Sequence, residues 1–74
     1  MDRYEKLANA IILQAVRDYR NALRNLRKHP QSRESLDTKD EVERFFRSQW
    51  YRILTAVNGE MLIERLQEEA AGQK

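Results

Sequence analysis

This sequence of 74 residues has no cysteine, one proline, two glycines and one histidine. Without cysteine the chain can form neither a disulfide framework nor a thiolate metal site. A chain of this size buries only about 60% of the surface that its unfolded form exposes, so helix packing or oligomerisation has to supply its stability. The scarcity of proline, glycine and β-branched residues gives strands and hairpins almost no support. These features favour one small all-α domain over residues 1–74.

Long hydrophobic segments are absent as well. The longest apolar run, from Ala10 to Leu13, is far shorter than the roughly 20 residues that span a bilayer. Asp2 and Glu5 stand near the N-terminus, where a signal peptide would carry basic residues. We therefore expect a soluble, cytoplasmic protein with no membrane partner.

The charged residues are unevenly distributed along the chain. Fourteen basic and twelve acidic residues give a net charge of only +2. Residues 1–33, however, carry eight basic and three acidic groups, whereas residues 34–74 carry six and nine. This asymmetry is compatible with a basic binding face, and equally with two halves that attract each other in the folded state.

The first segment predicts one long helix over residues 2–28. Apolar residues recur at helical spacing from Tyr4 to Leu26, and the opposite half of the helical wheel is basic. Pro30 disfavours the helical conformation at His29, so the helix should end there. The polar residues 29–35 are then typical of a loop that reverses the chain.

A second helix is predicted over residues 38–57, capped by Asp37 or Thr38. Its apolar face continues through Ser48, but a serine at this point can also cap a new helix. A continuous helix and a break near Ser48 therefore both remain open.

The pair Asn58-Gly59 predicts the next boundary, because glycine accepts a left-handed C-cap and asparagine can cap the next helix. The last helix should run over residues 59–70, and the tail from Ala71 to Lys74 should fray.

Together these elements predict an antiparallel bundle of three helices, or of four if the second helix breaks. Its acidic last helix is expected near the basic end of the first. The expected core residues beside the first helix are Phe45, Phe46, Trp50, Ile53, Leu54, Leu62, Ile63 and Leu66.

Residues suited to catalysis are few. His29 lies in a loop beside proline, and no cysteine is present to act as a nucleophile. Carboxylate pairs such as Asp40 with Glu43 share one helix face, but neighbouring arginines make them ordinary salt-bridge partners. No phosphate-binding glycine loop or zinc spacing occurs. We predict no enzyme, no catalytic or metal-binding residues, no cofactor and no small-molecule substrate.

A basic stripe on the first helix is the first candidate binding feature. Guanidinium groups on one helix face can contact successive phosphates, or the carboxylates of an acidic partner. The same row can also simply keep the outer face of a long helix in water. The candidate residues are Arg17, Arg20, Arg24, Arg27 and Lys28.

The second candidate feature is protein contact. Aromatic and arginine residues, which are enriched in binding hot spots, interleave over residues 43–52. Most of the aromatic residues there are expected in the core, but Tyr51 projects away from the apolar stripe of a continuous helix. Leu13 lies outside the apolar arc of the first helix. We predict that both are exposed contacts for a partner or a second subunit.

These segments carry two resemblances. The stretch over residues 43–51, its continuation over 54–63, and the segment Ala10 to Arg20 resemble short phage and prophage proteins of Firmicutes that have no assigned activity. This resemblance implies a bacterial cytoplasm with mobile-element genes nearby, and it offers no catalytic residues to carry over to this chain. The order of helix, serine-led segment, Asn-Gly turn and helix also resembles helix-turn-helix units. The glutamates of the last helix would repel DNA, however, so that helix is not expected to be a recognition helix.

The sequence alone does not determine a function. The leading hypothesis is a small non-enzymatic module that binds a protein partner or itself. The alternative hypothesis is nucleic-acid binding through the basic stripe.

Overall fold

The computed structural model describes residues 3–72, most of which lie in α-helices. No strand occurs in this range, which confirms the all-α class and the long first helix. The expectations for Asp2, Gln73 and Lys74 fall outside it. The helices are α1 (Arg3–Lys28), α2 (Arg33–Phe46), α3 (Gln49–Leu54) and α4 (Gly59–Gly72).

The first two helices are antiparallel neighbours. The Tyr19 hydroxyl donates to Glu43 Oε2 at 2.6 Å, and the Asn25 side-chain amide donates to Ser35 Oγ at 2.6 Å. From Tyr19 to Asn25 the residue number rises on α1, whereas that of the α2 partner falls from Glu43 to Ser35, as expected for antiparallel helices. Because α1 has 26 residues and α2 only 14, the N-terminal part of α1 extends beyond α2 and reaches α3.

Helix α2 begins at Arg33, five residues before the predicted start, and residues 33–35 are helical where a loop was expected. Ser32, not Asp37 or Thr38, is the N-cap, and its hydroxyl accepts a hydrogen bond from the Ser35 amide at 3.3 Å. The first turn of α2 meets α1 through polar side chains, chiefly Ser35, which is buried. An apolar pattern therefore could not mark this start.

The second predicted helix is broken, as the alternative interpretation of Ser48 required. Ser48 has extended backbone, accepts from the Tyr51 amide at 3.1 Å and donates to the Phe45 carbonyl at 2.7 Å. Helix α3 then ends at Leu54 rather than at residue 57, because Thr55 is again extended.

Gly59 has a different role from the predicted one. No described residue has positive φ, so no left-handed cap occurs here. Instead, a Cβ atom at Gly59 would lie 2.0 Å from the Phe46 carbonyl oxygen, so only glycine lets α4 start this close to α2. Asn58 does cap α4, since its Oδ1 accepts from the Met61 amide at 3.0 Å. The helix continues to Gly72, beyond the predicted end.

The break changes which side chains form the core. In a continuous helix, Trp50 would share a face with Phe46, and Tyr51 would point away. The nonhelical residues Arg47 and Ser48 reorient α3, so Tyr51 is 1% exposed and Trp50 54% exposed. Ile53, another predicted core residue, is 65% exposed. The buried cluster consists of Val16, Tyr19, Val42, Phe46, Tyr51, Ile63 and Leu66.

Candidate protein-binding surface

A groove runs between α1 and α2, and we call it the α1/α2 groove. Its first half has a volume of about 460 Å³ and is mainly apolar. No residue of α4 lines it, because α4 packs on the other flank of the helix pair. The apolar lining consists of Ala10, Ile11, Ala15, Val42, Phe45 and Trp50.

Trp50 and Phe45 form the end of the groove nearest α3. Their ring centroids are 5.5 Å apart and the rings meet edge to face, at 71°. The Ser48 cap sets this arrangement, because it bonds to the carbonyl of Phe45 on one side and to the first turn of α3 on the other. Trp50 is therefore held in a defined position although half of it faces solvent.

The second half of the groove is polar and has a volume of about 600 Å³. It continues the first half, since Asp18, Glu41 and Val42 line both. Glu34 and the side-chain amides of Asn21 and Asn25 lie farther along. Every charged residue among the described residues that line the two halves is acidic.

The basic stripe lies on another side of α1, next to α4. Arg20 binds Glu69 through two hydrogen bonds, of 2.8 and 3.1 Å, and Arg27 donates to the Ala70 carbonyl at 3.1 Å. Glu69 thus brings the acidic last helix to the basic part of α1, as the charge distribution predicted. Arg17, Arg24 and Lys28 make no ion pair within residues 3–72.

Leu13 and Tyr51, the two predicted protein-contact residues, differ in their exposure to solvent. Leu13 is 55% exposed, as expected, but it lies outside the groove, on the side of the basic stripe. The prediction that Tyr51 is an exposed anchor is wrong, because the break at Ser48 turns its ring into the core. Trp50 occupies the exposed position instead. A serine cap before Trp-Tyr was the one signal in the sequence that could have indicated this exchange.

A part-buried polar network runs along the edge of the core. The Tyr19 hydroxyl donates to Glu43 and accepts from the Gln67 amide at 3.0 Å. Burial and the Glu43 carboxylate raise the pKa of Tyr19 far above its usual value. Burial alone would raise the pKa of Glu43, but hydrogen bonds from Lys39 and Tyr19 hold that pKa below its usual value. All members are satisfied, so the network ties α1, α2 and α4 together.

Two further features of residues 3–72 concern metal binding and membrane crossing. This range contains no group of three or more His, Cys, Asp or Glu side chains that could hold a metal ion. None of its helices combines the length and the apolar character needed to cross a bilayer.

Comparison with known proteins adds no relative. No protein-family model, curated protein or solved structure matches this chain.

Proposed function

We propose that this chain is a small non-enzymatic protein-interaction module whose α1/α2 groove binds an amphipathic helix of a partner protein. The proposal rests on the exposed position of Trp50 at the end of the groove. A tryptophan that is 54% exposed, held by a helix cap beside an apolar groove, has the features of a binding hot spot.

The shape of the groove fits a helix. Its lining follows α1 from Ala10 to Asn25, which at 1.5 Å per residue is about 22 Å, or four helical turns. On the opposite flank, α4 already packs on the α1–α2 pair through Ile63 and Leu66. A partner helix in the groove would give this pair a second apolar neighbour, in the common helix-in-groove mode of recognition.

Nucleic-acid binding receives less support. Arg20 is already paired with Glu69, and the Arg27 guanidinium is turned towards the Ala70 carbonyl of α4, so the stripe is not wholly open to phosphates. The phage and prophage setting and the cytoplasmic location stay predictions of the sequence.

A peptide titration tests the proposal. Because Trp50 is the only tryptophan of the chain, its fluorescence reports directly on the groove. We expect a helical peptide with leucines on one face, glutamines on the other and no aromatic residue to shift the Trp50 emission to shorter wavelength, because the bound peptide excludes water from the ring.

Two matched variants identify the binding site. Ala10→Glu puts a charge on the exposed wall of the groove and should weaken binding about tenfold, equivalent to about 1.4 kcal/mol. Asn9→Glu adds the same charge at the neighbouring exposed position outside the groove and should leave binding unchanged. Equal loss in both variants, or no binding by the wild-type chain, would contradict the proposal.

A further inference from the structure

We infer that the helix bound by the α1/α2 groove is basic, with its apolar anchors against the Trp50 half and its lysines or arginines along the polar half. This inference rests on the function proposed above and adds the chemical class of the partner. Its basis is the set of charges along the groove.

Three carboxylates line the polar half of the groove: those of Asp18, Glu34 and Glu41. The only side-chain partner of Asp18 is the neutral amide of Gln14, at 3.0 Å. None of the three makes an ion pair within residues 3–72. Within residues 3–72 these three carboxylates therefore meet no cation, and only Glu34, in the first turn of α2, gains from a helix dipole.

The other acidic side chains at helix contacts are arranged differently. Glu43 pairs with Lys39 at 2.8 Å, and Glu69 pairs with Arg20. Lys39 belongs to the same helix as Glu43, whereas Arg20 and Glu69 join two helices, as do Arg47, the C-cap of α2, and Glu60 of α4. The carboxylates of α4 that reach another helix thus meet a cation there. By the same pattern, the cations that face the unpaired carboxylates of the groove would come from the partner helix. Complementary charge of this kind steers association and fixes the register of the bound helix.

A second copy of this chain does not supply such a helix. The basic face of α1 presents Leu13 as its exposed large apolar residue, but the neighbours of Leu13 at helical spacing on that face are Asn9 and Arg17. A helix bound in a groove needs anchors at successive spacings of three and four residues. The exposed Met61 of α4 lies between Glu60 and Glu64, whose charge the groove would repel.

Tyr4 and Leu7, near the start of α1, are exposed and stand at helical spacing, but the charged residues around them in the sequence are Asp2, Arg3, Glu5 and Lys6, two of each sign. That segment offers no net positive charge to three carboxylates, so we assign the groove to a different protein.

Three peptides of about 18 residues, long enough to follow the groove, test the inference. They share one leucine face and differ only in the other, which carries lysine, glutamine or glutamate. At about 50 mM salt we expect the lysine peptide to bind about tenfold more tightly than the glutamine peptide, and the glutamate peptide to bind least tightly. At about 500 mM salt the differences should largely disappear, because the charges are screened.

Charge-reversed variants locate the effect. The double substitution Asp18→Lys with Glu41→Lys should reverse the order of the three peptides. Glu41→Lys alone, at an exposed position, should reduce the preference and serves as the second variant if the double one folds poorly. Glu64→Lys with Glu68→Lys makes the same change in net charge on exposed positions of α4 and should preserve the order.

The outcomes separate the two proposals. Equal binding of all three peptides would overturn the basic partner and leave the groove as a helix-binding site. Binding of none would overturn the proposed function, and this inference with it. Sedimentation of the wild-type chain as a dimer that Asp18→Lys with Glu41→Lys dissociates would overturn the inference by making a second copy the occupant.

Discussion

Tyr19 and Tyr51 are both fully buried, but their hydroxyl groups differ in their hydrogen-bond partners. The Tyr19 hydroxyl has a donor and an acceptor, whereas the Tyr51 hydroxyl is buried with no hydrogen-bond partner within residues 3–72. Removing a satisfied buried hydroxyl leaves its partners unpaired, whereas removing an unsatisfied one ends a desolvation cost. The same substitution should thus have opposite consequences at the two positions.

We expect Tyr19→Phe to lower the free energy of unfolding by about 1 to 3 kcal/mol, because Glu43 and Gln67 each lose one hydrogen bond and the bond to Glu43 is to a charged group. Tyr51→Phe is its matched control and should leave the stability unchanged or slightly raised. Urea unfolding followed by circular dichroism measures both. Equal destabilisation by the two substitutions would mean that the hydrogen bonds of Tyr19 contribute nothing specific.

At the scale of the helices, Ser48 determines which aromatic residue is buried. We expect Ser48→Ala to lower the stability by about 1 kcal/mol, the usual cost of losing an N-cap. For a domain of this size that corresponds to a decrease in Tm of about 4–8 °C. Ser48→Asp, which keeps an acceptor for the Tyr51 amide, should retain most of the stability. A Ser48→Ala variant as stable as the aspartate variant would show that the break does not depend on this cap.

The helices differ in how far the sequence predicts them. The period of 3.6 residues predicts α1 almost to the residue, because its buried face is apolar along most of its length. It misses the start of α2, where Asn25 and Ser35 make a polar contact that no hydrophobic pattern records. At Ser48 the apolar spacing favours a continuous helix, and the serine is the one local signal for a cap, so the pattern alone allows both interpretations.

The candidate surface depends on that one ambiguity. A continuous helix would place Trp50 in the core and Tyr51 on the surface, and it would leave the groove without its aromatic end. The prediction of Tyr51 as a contact residue assumed that continuous helix and is therefore wrong. Leu13 was identified correctly as exposed because its position depends only on α1. The acidic lining could not be predicted, since it requires the register between α1 and α2, which the tertiary hydrogen bonds of Tyr19 and Asn25 reveal.

At the scale of the whole molecule, the net charge is only +2, and the fold determines on which surfaces the charged side chains lie. Part of the positive charge of α1 faces the acidic α4, and unpaired negative charge lines the α1/α2 groove. Of the five stripe residues, three make no hydrogen bond or ion pair within residues 3–72: Arg17, Arg24 and Lys28. The surface field is therefore less basic than the sequence of the first half indicates.

This arrangement limits nucleic-acid binding. Each neutralised phosphate contributes about −0.9 to the slope of log affinity against log salt. Arg27 donates to a neutral carbonyl and keeps its charge, so without Arg20 the stripe offers four cations and a slope of about −3.6 on duplex DNA. Fluorescence anisotropy with mixed-sequence duplexes at several salt concentrations measures that slope. Glu69→Gln should release Arg20 and make the slope steeper by about one, whereas Glu64→Gln, which frees no arginine, should leave it unchanged. A wild-type slope of about −4.5, lost in an Arg20→Glu, Arg24→Glu variant, would mean that Arg20 leaves Glu69 for phosphate and that all five stripe residues bind nucleic acid.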